Sequence, residues 1–310
     1  MSDKVYGIHG GKYGRYFQVN CSRYEPYWFC DPAFDRTQEV EILNVNDEVY
    51  PPEFGDFSFG GGYKIKPEPK GTGHPQNYHE GTGETLLFFS TDPENPENLG
   101  GEIEMCIESD KHIISRTSAV YIPERMLHGP LWFRDVSRPI IQMAMLCAPT
   151  YGQHYAGGLE QEPILYHDRN GGHGAYIMQN PNPPVRREDG TIEVLKVTRD
   201  QLPEDVTPVE VEYLIHTRDC VEGPETPVVF ENDVAIAIFD LDKDHARELD
   251  AEVIVSIGDE IHVVREPFIL TLPAGIPLGP IRFKDVGRPI VHIVTKPPVR
   301  RSQSTGANAG

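Results

Sequence analysis

The feature of this sequence that most constrains its fold is a repeat at a spacing of 150 residues. Residues 122–141 and 272–291 align without a gap, and nine of the twenty aligned pairs are identical. Further upstream, residues 11–20 resemble residues 171–180 if a gap is allowed. Because each copy of such a repeat folds as one structural unit, the spacing predicts two similar domains in tandem.

Composition and local pattern place both domains in the all-β class. The chain has 29 glycines and 28 prolines among 310 residues, a balance that suits a globular protein with many turns. Residues 38–48 show the apolar alternation of a strand. One short helix is predicted around Thr198 to Glu204, since Thr198 can cap it. No Lys-Ser/Thr pair follows the glycines at 60–62, so we favour a bulge or turn between strands over a phosphate loop.

Charge and cysteine usage limit the partners and the compartment. The net charge of −20 argues against nucleic acid and anionic membranes as partners, because both need a basic surface. The sequence has no apolar stretch of about 18 residues, so no membrane-spanning helix is predicted. The first residues lack the apolar core of a secretion signal. The odd number of cysteines, without C-x-x-C spacing, favours free thiols in a reducing compartment. We therefore expect a soluble, cytoplasmic protein. The cysteines are Cys21, Cys30, Cys106, Cys147 and Cys220.

Three residues in the first copy have the chemistry and the spacing of a metal site. His79 and Glu84 flank a turn that contains two glycines, which supply the φ values of a tight reversal. Such a reversal can place the two side chains on facing positions of adjacent strands. His128 comes out of a later turn that begins at Pro123. Two histidines and a carboxylate can hold a divalent metal and leave coordination positions open.

The second copy serves as an internal control for this interpretation. At the offset of 150 all three positions become aliphatic: His79 aligns with Val229, Glu84 with Val234 and His128 with Leu278. The alternative, that the three are ordinary polar residues, explains poorly why they change together. We therefore predict one metal per chain, held in the first copy.

The pattern H-x4-E followed by P-x4-H resembles the two sequence motifs of the cupin superfamily. The resemblance implies small antiparallel barrels of the jelly-roll type with a metal inside the barrel, and two in tandem would make a bicupin. The first motif of the family reads H-x-H-x3-4-E, and Asn77 occupies the place of its first histidine. His74 could substitute if the backbone bulges. Arg125 stands where the second motif usually has glycine. Fe(II), Mn(II), Ni(II), Co(II) and Zn(II) are the metals that the resemblance implies.

Domain boundaries and scaffold residues follow from the two copies. We predict an N-terminal, metal-binding barrel over residues 1–150, a C-terminal barrel without metal ligands over residues 160–300, and a disordered tail over residues 301–310. Arg138 and Arg288 occur in both copies, so a scaffold role is favoured, in ion pairs with the aspartates three residues before them.

The open coordination positions lead to a functional hypothesis. The chain would be a metal-dependent enzyme that acts on a small oxygenated substrate, aromatic or carboxylate-bearing, with the metal as a Lewis acid or as the site of dioxygen chemistry. Dioxygenase, lyase or decarboxylase, and isomerase activities all remain open. Candidate pocket residues near the ligands are His74, Asn77, Phe88, Glu104 and Gln142.

Two alternatives remain beside the enzyme. The departures at Asn77 and Arg125 fit a non-catalytic bicupin that stores or senses a metal or small molecule. A second alternative is an apolar-ligand barrel in the second copy, where aliphatic residues replace the metal. Because two barrels in one chain can already pair through their sheets, we expect a monomer or a homodimer.

Overall fold

The computed structural model describes residues 4–19, 39–45, 57–69, 73–148, 154–155 and 172–298. The tail at 301–310, the cysteines at positions 21 and 30 and most of the segment between the copies lie outside these ranges. Within them, Cys106, Cys147 and Cys220 are free thiols, and no helix is long and apolar enough to cross a membrane.

Strands connected by turns make up the described residues, which confirms the predicted all-β fold with few short helices. The strands in the first half are β1 (Lys4–Gly7), β2 (Phe17–Val19), β3 (Glu39–Val45), β4 (Ser58–Lys64), β5 (Asn77–Tyr78), β6 (Glu84–Ser90), β7 (Asn98–Ile107), β8 (Asp110–Arg116), β9 (Ser118–Ile122), β10 (His128–Val136), β11 (Ile140–Leu146) and β12 (His154–Tyr155). Those in the second half are β13 (Ile177–Met178), β14 (Val185–Arg186), β15 (Thr191–Val197), β16 (Glu210–His216), β17 (Cys220–Glu222), β18 (Val228–Val229), β19 (Val234–Asp240), β20 (Glu252–Ile257), β21 (Glu260–Val264), β22 (Phe268–Leu272), β23 (Pro277–Lys284) and β24 (Ile290–Lys296). Single 3-10 turns cover Gly14–Tyr16, His173–Tyr176, Arg199–Gln201 and Lys243–His245.

The two halves have the same strand order. In the first barrel one sheet contains β9-β6-β11-β4 and the other β5-β10-β7-β8. In the second barrel the corresponding runs are β22-β19-β24-β16 and β18-β23-β20-β21, with β17 also paired to β23. This pairing of non-consecutive strands in two antiparallel sheets is the jelly-roll arrangement.

Burial along the strands shows which sheets face solvent. In β7 the side chains of Ile103, Met105 and Ile107 are buried and alternate with partly exposed positions, because one face points into the barrel and the other to water. Every residue of β6, β11 and β19 is buried instead. Those strands lie between a barrel interior and the neighbouring barrel, so both of their faces are covered.

The contact between the barrels is reciprocal. The Tyr63 hydroxyl donates to the Asp240 carbonyl oxygen, and the Tyr213 hydroxyl donates to the Ser90 carbonyl oxygen at 3.0 Å. Both tyrosines are buried, and they are 150 residues apart, as are their acceptors. Aromatic contacts repeat the exchange: Phe89 stacks on Tyr213 at 4.0 Å between ring centroids, and Tyr63 meets Phe239 edge-on at 6.4 Å.

The barrels also exchange their leading segments. Strands β1 and β2 join the sheets of the C-terminal barrel through β21 and β22, whereas β13 joins the N-terminal barrel through β9. Glu260 accepts hydrogen bonds from the backbone N–H groups of Lys12 and Tyr13 at 2.9 and 3.1 Å, and Asp110 accepts one from that of His173 at 3.1 Å. These carboxylates hold each segment to the opposite barrel. The predicted domain boundary near residue 150 does not include this exchange of segments.

The glycines at 60–62 lie inside β4 rather than in a turn. A Cβ atom on Gly61 would lie 2.1 Å from the carbonyl oxygen of Gln142 in β11, so a residue without a side chain lets the two strands approach closely. The irregularity that the glycines suggested is present in the partner strand, where β3 shifts register between Glu41 and Leu43. The helix predicted around Thr198 is a single 3-10 turn, and the Thr198 N–H donates to the Gln201 side chain at 2.8 Å.

The predicted ion pairs of Arg138 with Asp135 and of Arg288 with Asp285 were wrong. Arg138 pairs with Asp92, and Arg288 pairs with Asp240 at 2.9 Å and Asp250 at 3.3 Å. Asp92 follows β6, Asp240 ends β19 and Asp250 lies shortly before β20. The arginines therefore tie these segments to the β10–β11 and β23–β24 connections. The scaffold role remains, but the contacts are between distant segments.

Candidate metal centre

The predicted turn brings His79 and Glu84 together. His79 follows β5 directly and Glu84 is the first residue of β6. Between them Gly81 adopts a φ of +82°, and a Cβ atom on Gly83 would lie 2.4 Å from the Ile122 carbonyl oxygen. A left-handed conformation and a close approach both require glycine. The turn is therefore set by its glycines and brings the two side chains to one end of the barrel.

His128 completes the cluster from β10. Its Nε2 atom lies 2.9 Å from Oε2 of Glu84, and Nε2 of His79 lies 3.4 Å from the same oxygen. All three side chains are at least 96% buried, and their ligand atoms lie within 4.8 Å of one another. The structure thus brings together the three residues that the motif spacing predicted.

The tautomer of His128 is fixed by the backbone. Its Nδ1 atom lies 3.0 Å from the carbonyl oxygen of Met126. Because a carbonyl oxygen only accepts, Nδ1 must carry a proton, and Nε2 faces Glu84. Metal-binding histidines commonly donate their second N–H to a backbone carbonyl in this way, which orients the ring. Facing a carboxylate at 2.9 Å, Nε2 needs either a proton or a cation between the two atoms, so the donor set fits a divalent metal.

Glu84 is held in its charged form. Burial alone would raise its pKa, but the histidines His79 and His128 outweigh this effect through their charges and hydrogen bonds and hold the pKa well below its usual range. A buried carboxylate that stays ionised at neutral pH attracts a cation. Its charge and two imidazole nitrogens would leave a bound divalent ion with a net positive charge.

Asn77 lies directly opposite His128 in the pairing of β5 with β10. Side chains at such positions are in contact range. Its Nδ2 group donates to the Pro75 carbonyl at 3.2 Å, and its Oδ1 atom is buried with no hydrogen-bond partner among the described residues. His74 instead bridges Leu131, further along β10, and the ligand cluster among the described residues does not include it.

The other three candidate pocket residues lie in different surroundings. Phe88 and Gln142 face each other across β6 and β11 in the interior of the N-terminal barrel, and Oε1 of Gln142 has no hydrogen-bond partner among the described residues. Glu104 lies on the outer face of β7, opposite to the buried Ile103 and Met105. There it pairs with Lys111 at 2.5 Å and Arg134 at 3.5 Å. The structure therefore does not bring Glu104 to the metal cluster.

Two contributors to the site were not predicted. The Met126 carbonyl orients His128, and the Thr207 hydroxyl accepts the backbone N–H of Gly83 at 3.0 Å. The first is a backbone atom, which no residue type signals. The second reaches the turn from the second half of the chain, so only the tertiary structure places it there.

Neither a protein-family model nor a curated protein sequence matches the chain. Among solved structures, a deletion mutant of Bacillus subtilis oxalate decarboxylase matches with a TM-score of 0.54 at 7% identity, over 85% of this chain and 76% of that chain. The chain has the bicupin fold.

Two further structures match this chain less well. Salicylate 1,2-dioxygenase from Pseudoaminobacter salicylatoxidans has a TM-score of 0.47 at 10% identity, over 86% of this chain and 77% of that chain. The vicilin of hazelnut, Corylus avellana, has a TM-score of 0.47 at 10% identity, over 85% of this chain and 84% of that chain. At these identities the likeness concerns the fold.

The structure of the C-terminal barrel corrects the alignment of His79 with Val229. The ungapped offset aligns Asn77 with Pro227, but the residue opposite Leu278 is Val228, just as Asn77 lies opposite His128. The Phe230 carbonyl accepts the N–H of Gly275 at 3.0 Å, as the His79 carbonyl accepts that of Arg125 at 2.8 Å. The structural counterpart of His79 is therefore Phe230. Val229, the residue aligned by the ungapped offset, is 55% exposed.

The pairings of the other two ligands keep the offset of 150. Glu84 pairs with Ile122, and Val234 pairs with Leu272. The loop before Val234 is thus one residue shorter than the loop before Glu84. All three metal-ligand positions remain apolar in the C-terminal barrel, with Phe230, Val234 and Leu278 as the counterparts.

Proposed function

We propose that the N-terminal barrel binds one divalent transition metal through His79, Glu84 and His128, and that the metal serves an enzymatic reaction on a small oxygenated molecule. The observation that carries the proposal is the buried, ionised Glu84 between two imidazole nitrogens, one of them oriented by a backbone carbonyl. Without a cation this arrangement would need an additional proton. Fe, Mn, Ni, Co and Zn all accept such ligands.

Asn77 is proposed to act beside the metal ligands. Its buried Oδ1 atom lies on the strand position opposite His128 and has no hydrogen-bond partner among the described residues. A buried acceptor without a donor costs about 1–3 kcal/mol, so a metal or a substrate hydroxyl in this place would be stabilised. Asn77 would then supply an oxygen ligand or fix the orientation of the substrate.

The charge of the site favours an anionic substrate oxygen. One carboxylate and two neutral imidazoles leave a divalent metal with a net positive charge, and burial strengthens its attraction for an anion. When bound, the metal would polarise a carbonyl or carboxylate oxygen or support dioxygen chemistry. The three side chains are buried, so small carboxylates and hydroxylated aromatic acids are the proposed class. Oxalate is the first compound to test, since the neighbour with the same fold acts on it by name.

Metal analysis tests the first step. We expect the purified protein to contain a single first-row metal per chain by elemental analysis, and His128→Ala to lose most of it, because a buried ligand is removed. Leu278→Ala is the matched control at the equivalent position of the other barrel. It should keep the metal while losing about 2–5 kcal/mol of stability through the lost packing. Full metal occupancy in His128→Ala, or two metals per chain in the parent protein, contradicts the proposal.

Turnover separates the enzyme from the storage or sensor alternative, which the Asn77 departure favours. The metal-loaded protein is mixed with oxalate and then with small aromatic hydroxy acids, and release of carbon dioxide and consumption of dioxygen are measured. The enzymatic proposal expects turnover with at least one compound that is lost in His128→Ala. Stoichiometric metal without turnover of any compound supports the non-catalytic alternative.

A further inference from the structure

The C-terminal barrel has a partly open cavity of about 180 Å³ at the position where the N-terminal barrel has the cluster of His79, Glu84 and His128. Phe230, Val234 and Leu278, the counterparts of the three metal ligands, all line it. The remaining lining is largely apolar and comes from β16, β17 and the residues after it, β18, β19, β23 and β24. An engineered apolar cavity of roughly 150 Å³ is known to hold benzene, so the volume here suits a single ring or a molecule of similar size.

One residue in the lining of this cavity is a buried histidine. His292 lines the cavity and is 3% exposed. Its Nδ1 atom lies 3.1 Å from Nε2 of His216, and its own Nε2 atom has no hydrogen-bond partner among the described residues. Leaving such an atom unpaired costs about 1–3 kcal/mol. A ligand group that forms a hydrogen bond with Nε2 would therefore gain binding energy at this point.

Both histidines are neutral. Burial lowers the pKa of His292 to about 3, and burial together with the neighbouring His292 lowers that of His216 well below its usual value. In a neutral pair one ring donates to the other, so Nε2 of His292 either carries a proton or accepts one. The far side of His216 allows both arrangements, because Thr191 Oγ1 and Cys220 Sγ each lie 3.2 Å from its Nδ1 atom. A hydroxyl group can match either tautomer, since it both donates and accepts.

The charges around the cavity disfavour an anion. Glu212, Glu222 and Lys296 are its charged lining residues. Each already has a partner, with Arg187 at 2.7 Å from Glu222, Lys196 at 3.2 Å from Glu212 and Glu210 at 3.4 Å from Lys296. Because these charged groups are already paired, none of them is free to balance the charge of an entering carboxylate. An uncharged ligand avoids the cost of burying an unbalanced charge.

We propose that the C-terminal barrel binds a compact, uncharged molecule with one hydroxyl group, which forms a hydrogen bond with Nε2 of His292 while its apolar body packs against Phe230, Val234 and Leu278. The site is independent of the metal and of the activity proposed for the N-terminal barrel. It replaces the coordination chemistry of one barrel with apolar contact and a single hydrogen bond in the other.

The test uses phenol as the probe and toluene as its isostere without a hydroxyl, on the full chain by isothermal titration calorimetry. We expect phenol to bind about tenfold more tightly than toluene, as one hydrogen bond of about 1.4 kcal/mol would give. Benzoate should bind more weakly than phenol because its charge would be buried without a counter-charge. No phenol binding at millimolar concentrations, or equal affinity for phenol and toluene, would overturn the proposal.

Variants locate the site. His292→Leu should abolish the preference for phenol over toluene. Val234→Phe should block both ligands by filling the cavity, and Val228→Trp does so from a lining position that is 37% exposed, where a larger side chain leaves the core intact. His128→Ala should bind phenol as the parent does. Phenol affinity that survives both blocking variants, or that falls in His128→Ala alone, places the ligand elsewhere and refutes the assignment.

Discussion

The two barrels share their backbone framework and differ in what fills one end of it. In each barrel a backbone N–H from the turn before the β10 or β23 strand donates to the carbonyl oxygen at the first ligand position, at 2.8 Å to His79 and 3.0 Å to Phe230. Because these bonds use main-chain atoms, they place the turn whatever side chain it carries. The side chains at this end can therefore change from polar to apolar groups without a change of fold.

The difference in chemistry follows from this freedom. The N-terminal barrel buries an ionised carboxylate and two histidines, a combination that is stable when a cation balances it. The C-terminal barrel has apolar residues in all three places and keeps a buried neutral histidine pair deeper inside, His216 with His292. The interior of the N-terminal barrel thus contains a buried charge, and the interior of the C-terminal barrel has apolar residues in the equivalent places. The predictions below test that contrast.

Metal binding should give the largest effect on stability. At a free metal concentration about a thousand times the dissociation constant, a ligand that binds the folded state alone adds about 4 kcal/mol. We expect this increment in urea unfolding of chelator-treated protein when the metal is restored. Glu84→Val, which copies the residue of the other barrel, should abolish it. Val234→Ala lowers the baseline stability through lost packing but should retain the increment. If both variants lost the stability increment from the metal equally, the proposed distinction between the barrels would be contradicted.

Mild acid should destabilise the protein through the C-terminal barrel. Burial lowers the pKa of His292 to about 3, against about 6.5 in an unfolded chain. Between these values the unfolded state binds a proton that the folded state does not, so stability falls as pH falls, by about 1.4 kcal/mol per pH unit for this residue. The depressed pKa of Glu84 acts in a lower window, because an unfolded glutamate begins to bind protons only near pH 4.5.

The measurement is the free energy of unfolding at pH 6.5, 5.5 and 4.5 in metal-free protein. His292→Gln introduces the residue found at the equivalent position 142 and removes the titrating group. We expect the variant to be less acid-sensitive than the parent by about 2–3 kcal/mol at pH 4.5. Parallel pH curves for the two proteins would show that folding does not lower the pKa of His292, which would contradict this prediction.

The sequence was sufficient for the fold and for the clustering of His79, Glu84 and His128, because both depend on local patterns. The repeat at 150 residues and the glycine turn between His79 and Glu84 are visible without coordinates. The position of Glu104 could also have been predicted. It alternates with Ile103 and Met105, which face the core, so its side chain had to point outward.

The rest needed tertiary information. Phe230 replaces His79 because the loop before β19 is one residue shorter, and an alignment of two dissimilar loops gives no reason to place that gap. Thr207 contacts Gly83 from 124 residues away, and the exchange of β2 and β13 between barrels leaves no mark on local periodicity. Contacts that join distant segments depend on the relative placement of the barrels, which residue spacing does not encode.

The reciprocal tyrosines at the barrel interface should give the smallest effect and an equal one. Tyr63→Phe and Tyr213→Phe each remove one hydroxyl that donates to a buried carbonyl of the opposite barrel. Burial raises the pKa of both phenols, so they are protonated donors at neutral pH. Each loss should cost about 1 kcal/mol, since the ring packing stays and one hydrogen bond goes. Urea unfolding of both single variants and of the double variant measures the costs and their additivity, and unchanged metal content shows that the barrels remain intact. A cost several times larger for one tyrosine than for the other would mean that the two barrels, alike in fold, do not contribute alike to their shared interface.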